Sequence, residues 1–107
     1  MELVMSGDVV SQQADATMID SVIRQLAAGG TDEFAILSRD DSNYVQTALG
    51  PTPGSGFVLE YQVGSIDGHL RCFDTNLSAA DIIRIFSLYL QGDDRWLAEH
   101  TWEKMDL

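Results

Sequence analysis

Basic residues are scarce in this chain. Six Lys and Arg stand against seventeen Asp and Glu in 107 residues, a formal net charge of −11. Such a surface repels a polyanion at long range, because nucleic-acid binding needs several cationic side chains to displace counterions. Nucleic acid is therefore not expected as a direct partner. A basic protein is attracted instead, and complementary fields speed its encounter, although an acidic exterior also serves solubility alone. Cysteine is nearly absent too: Cys72 stands alone, which excludes an internal disulfide and fits a reducing cytoplasm better than a secreted, stapled domain. No stretch approaches the ~20 apolar residues of a membrane span. The opening MELVMSGDVV has neither the basic region nor the apolar run of a signal peptide. These shortages predict a soluble, cytoplasmic protein with no membrane partner.

What is present is enough for one fold. A chain of 107 residues is read as a single domain over 1–107, and a domain of this size buries roughly 65% of the surface its unfolded form exposes. With 45% apolar and 21% charged residues, two Trp, three Tyr and four Phe, the composition is that of a folded protein and not a disordered one.

Residues 2–5 and 9–10 are short apolar pieces split by Ser6-Gly7-Asp8, read as a small hairpin or one irregular strand. In DATMIDSVIRQLAAGG, Met18, Val22 and Leu26 recur every four residues beside Ile19 and Ile23, which predicts a helix. Thr17 with Asp20 resembles a capping box, with Asp15 as the rival cap, and Gly29-Gly30 is expected to stop the helix through a left-handed residue. FAILS (34–38) and YVQTAL (44–49) read as strands around the polar turn 39–43, and GPTPGSG (50–56) reads as a loop. FVLEYQV (57–63) and HLRCF (69–73) read as a hairpin. In LSAADIIRIFSLYLQGDD, Ser78 is the N-cap, Asp81 its reciprocal partner and Leu77 with Ile82 the staple. Ile82, Ile85, Phe86 and Tyr89 share a face, and Gly92 ends the helix.

A short helix over Asp94–Glu99 follows, then a break near His100–Thr101, because Trp96 and Trp102 cannot share one face of a continuous helix. The tail is expected to dock irregularly, with at least one indole anchored on the core. The order predicts an α+β fold: an antiparallel four- to five-stranded meander sheet, two main helices packed on one face and a short C-terminal helix and tail.

The hairpin poses the functional question. Its apolar parity restricts the register, and pairing residues whose numbers sum to 131 sets Tyr61 opposite Leu70, Leu59 opposite Cys72, Glu60 opposite Arg71 and Gln62 opposite His69. Glu60, Gln62, His69 and Arg71 then share the face that the core leaves free, where Gln46 can join them. A carboxylate base, an imidazole acid and a guanidinium could cleave a phosphodiester without metal. An open sheet face displays such triples by chance, however, and a host at −11 is poor at holding RNA. A solvated face or a protein-recognition patch is the stronger reading.

Other chemistry finds less support. His69 and Cys72 project to opposite faces of a strand, which leaves too few ligands for zinc. A calcium loop starting at Asp40 needs Gly at 45 and Glu at 51, where the chain has Val45 and Pro51. GPTPGSG lacks the following Lys and the helix of a phosphate-binding loop. Cys72 has core parity and reads as a small buried hydrophobe. Neither metal nor cofactor is expected.

"GFVLEYQVGS", "DIIRIFSLYLQGDDRW" and the ending "TWEKMDL" resemble a group of small acidic bacterial proteins with a similar aromatic, Gly-Asp-Asp-x-Trp and Trp-Glu-Lys finish. The likeness covers residues 16–107. It implies an immunity protein of a polymorphic toxin system, and the charge excess then points to a basic, nucleic-acid-degrading toxin held by an acidic surface. The expected contacts are Glu60, Gln62, His69, Arg71 and Gln46 on the sheet face, Tyr44, Asp40 and Asp41 at the turn, and Asp93 and Asp94 at a helix end. The alternatives are a small phosphodiesterase using Glu60, His69 and Arg71, or a structural module, with the chain itself a monomer or weak homodimer.

Overall fold

Alternating apolar positions drive most of the chain into extended backbone. The computed structural model describes residues 1–29, 33–50 and 56–105. Its strands are β1 (Glu2–Met5), β2 (Asp8–Ser11), β3 (Phe34–Asp40), β4 (Asn43–Leu49), β5 (Phe57–Gln62), β6 (His69–Cys72) and β7 (Trp102–Lys104). Helix α1 (Ala16–Ala28) follows β2, while α2 (Ala79–Leu90) and α3 (Arg95–Ala98) lie between β6 and β7. Among the described residues all strands join one sheet in the order β2-β1-β3-β4-β5-β6-β7, and each pairing is antiparallel.

The class is α+β as the sequence predicts, but the sheet has seven strands instead of four or five. The extra ones are β2, because 2–5 and 9–10 form the hairpin and not the single irregular strand, and β7 at the tail. β1 and β2 turn on Ser6 and Gly7, whose φ angles are +51° and +89°, the paired positive values of a two-residue hairpin turn. The tail, expected to be irregular, instead adds Trp102–Lys104 to β6. Strand ends shift as well. β5 stops at Gln62, so Val63 is exposed and not a core residue, and a single 3-10 turn at Ile66–Gly68 leads into β6. Phe73, read as strand, lies beyond β6 and is exposed.

Helix α1 is capped by Asp15, whose side chain accepts from Met18 N at 2.8 Å, so the rival cap prevails over the Thr17 box. Its C-cap Gly29 has φ −91°, an extended conformation and not the left-handed one expected; Gly30 lies outside the described residues, as do residues 51–55 of the loop and Asp106. Helix α2 follows its signature closely. Ser78 accepts from Asp81 N and Asp81 accepts from Ser78 N, each at 3.0 Å, a cap contributing about 1 kcal/mol. Its end is a Schellman turn: Gly92, at φ +75°, donates to Tyr89 O and Asp93 donates to Leu88 O.

Both main helices lie on one face of the sheet. Ile19, Ile23 and Leu26 of α1 and Ile82, Ile85 and Phe86 of α2 are fully or almost fully buried with Leu3, Leu37, Val45 and Leu59 of the strands. Cys72 is 1% exposed among them, and burial pushes its thiol up, so it is a packing residue. Trp96 is buried, and Trp102 is half-buried with its indole N–H donating to Leu97 O at 2.9 Å. No helix is long and apolar enough to cross a membrane among the described residues.

Candidate functional site

The parity that sends Leu3, Leu37, Val45 and Leu59 to the helices sends the intervening residues to the other face. No described helix covers it. Val4 pairs with Ile36, Ile36 with Gln46, Gln46 with Glu60, Glu60 with Arg71 and Arg71 with Glu103, so one row runs across six strands. A second row holds Ser38, Tyr44, Gln62 and His69, and a third Phe34, Ala48 and Val58. The face is thus apolar at Val4, Phe34, Ile36, Ala48 and Val58, and polar from Tyr44 to Arg71.

Within the polar half, His69 is not on the wet surface that the alternation predicts. It is 5% exposed, because Glu60 and Gln62 on β5 and Tyr44 on β4 beyond it close over its ring. Gln62 is oriented by donating Nε2 to the carbonyl of Ser42 at 3.2 Å, which turns its Oε1 towards His69 Nδ1 at 3.1 Å. Glu60 Oε1 meets His69 Nε2 at 2.8 Å. Each ring nitrogen therefore faces an oxygen of a β5 side chain. Tyr44 donates to the same Gln62 oxygen at 3.2 Å. Burial, and after it the negative charge of Glu60, push its phenol up, so it stays a donor.

This geometry bears on the acid/base reading. A general acid or base must reach its substrate within hydrogen-bond distance, yet both His69 nitrogens are engaged inside the protein. Arg71 sits opposite Glu60 as the register predicts, but its guanidinium turns away to bond Glu103. The three groups expected for phosphodiester cleavage do not surround a common open position. His69 is likewise too enclosed to be a leading contact for a partner, whereas Gln46, Tyr44, Glu60 and Gln62 are half-buried and Arg71 is exposed.

Asp40 and Asp41 are exposed at the tip of the β3–β4 hairpin. Together with Glu2, Val4, Ile36 and Tyr44 they line a shallow groove of about 310 Å³ on the open face. Backbone N–H donation from Ser42, then the Asn43 side-chain amide, hold the Asp40 carboxyl below the ordinary carboxylate range. Since the folded value is the lower one, this tie is at full strength above the ordinary range and is lost as pH falls through the lowered value. Asp93 and Asp94 belong elsewhere. They lie with Trp96 and Tyr89 at the end of the helical layer. Arg39, adjacent to Asp40 on the same strand, points to that side and stacks on Tyr89.

Sequence reasoning missed the apolar half of this face. Its signal was Phe34-Ala35-Ile36-Leu37, a run apolar at successive positions and therefore on both faces of its strand. Glu103 was missed because β7 was not foreseen. Among the described residues no group of His, Cys, Asp and Glu is arranged to hold a metal ion. The chain matches no protein-family model, no curated protein and no solved structure.

Proposed function

We propose that this chain is a non-catalytic protein-binding domain that docks a basic partner on its open sheet face, most concretely as an immunity protein occluding a nucleic-acid-degrading toxin. The observation that carries the reading is the uncovered face itself, an apolar strip at Val4, Phe34 and Ile36 edged by Glu2, Asp40 and Asp41. Protein interfaces commonly combine a less polar centre with a polar, water-accessible rim. The excess of carboxylates, at a net charge of −11, would steer a cationic partner to that rim. A toxin that cuts nucleic acid must present a basic site, and the acidic groove can stand in for its substrate.

The product of the adjacent reading frame is the first partner to examine. Co-expression with this chain should rescue growth and give a complex that dissociates as salt is added. Killing that continues unrestrained, with no complex at low salt, ends the immunity reading.

A further inference from the structure

The helical layer offers a second recognition element. A cleft of about 200 Å³ lies where the α2–α3 connection meets the sheet, walled by Tyr61, Tyr89 and Trp96 and bordered by Arg39, Asp93 and Asp94. Trp96 meets Tyr61 at 5.3 Å and 89° between ring planes, and Tyr89 at 6.1 Å and 67°. Trp96 and Tyr89 are 3% and 7% exposed, so the solvent side of the cleft is Tyr61 with Val63 and Leu97, and aromatic ring faces carry the negative end of the quadrupole. One of these faces already takes a cation. The Arg39 guanidinium carbon stands 4.4 Å from the Tyr89 ring centroid, and the same guanidinium donates to Tyr89 O at 3.4 Å.

The two carboxylates differ in what they have left to offer. Asp93 is committed to Arg95, with its side chain 2.7 Å from the guanidinium and also accepting from the Arg95 backbone N–H. Arg95 holds the Asp93 carboxyl below its ordinary range. Asp94 is exposed, and its side chain makes no cap to α3. Its carboxylate pairs with no cation among the described residues. A half-buried Tyr61 ring, an uncommitted carboxylate and room for one side chain are the chemistry that recognises an alkylammonium or guanidinium group.

We infer that this cleft receives a basic side chain of the protein partner. The inference rests on the proposed function and adds a contact beyond the open face. Arg39 is its internal competitor: it covers the Tyr89 face and brings a positive charge to the cleft.

The pure protein, titrated with butylammonium chloride and separately with the neutral 1-butanol, tests this without a partner. The Trp96 indole N–H resonance should shift saturably with butylammonium and only weakly with butanol. Asp94→Asn, at an exposed position, should weaken butylammonium about fivefold, the size of one surface cation contact. Arg39→Gln should tighten it. Equal response to butanol, no saturation, or no change in Asp94→Asn overturns the inference, while a salt-sensitive complex with the toxin would still stand. If the cleft binds butylammonium but Asp94→Asn leaves the toxin complex equally tight, the partner's side chain does not enter it and the inference is likewise overturned.

Discussion

Replacing Trp96 by Ala should destabilise the fold by about 3–5 kcal/mol, the usual cost of truncating a buried Trp. That is a large share of the roughly 5–15 kcal/mol that holds a domain together. Trp96 is 3% exposed and packs edge-to-face on Tyr61, Tyr89 and Trp102. Trp102 opens β7, the strand that carries Glu103 to Arg71. Removing the indole therefore withdraws the support between the helical layer and the last strand. Urea titrations should show a lower midpoint with an unchanged slope. A change below ~0.5 kcal/mol, as at an ordinary surface position, would mean that Trp96 does not anchor the tail.

Glu60→Leu should cost about 1–3 kcal/mol, because it leaves the Nε2 side of a buried His69 without its acceptor. Glu60→Gln keeps an oxygen within reach and should cost less. The contrast between the two isolates the hydrogen bond from the general effect of substituting a sheet residue, where Leu is otherwise as acceptable as Glu. If Leu and Gln give the same midpoint, His69 is not held by Glu60 at 2.8 Å, and the closed network is wrong.

The hairpin shows how far local pattern reaches. Apolar parity limits the register to odd sums, and the sum of 131 among them sets Glu60 opposite Arg71, Tyr61 opposite Leu70 and Gln62 opposite His69, the three pairs that the sheet has. The cap, partner and stop of α2 were legible for a similar reason, since each signal acts within four residues of its target. Parity says which face a side chain takes and not what else crowds that face. His69 is buried by Tyr44, from a strand twenty-five residues away, so its enclosure depends on the assembled sheet. Arg71 illustrates the same limit. Its sequence-visible neighbour is Glu60, but β7 brings Glu103 to its other side and Glu103 takes the ion pair. β7, only three residues long, owes its extended form to pairing with β6, which no window of sequence contains.

Cross-saturation transfer from a bound basic partner, read by NMR on this chain, addresses the docking surface directly. The expected result is attenuation centred on Val4, Ile36, Tyr44 and Gln46, with Asp40 and Asp41 at its margin. Attenuation confined to the outer surfaces of α1 and α2, around Arg24 and Arg84, would contradict a partner seated on the uncovered sheet.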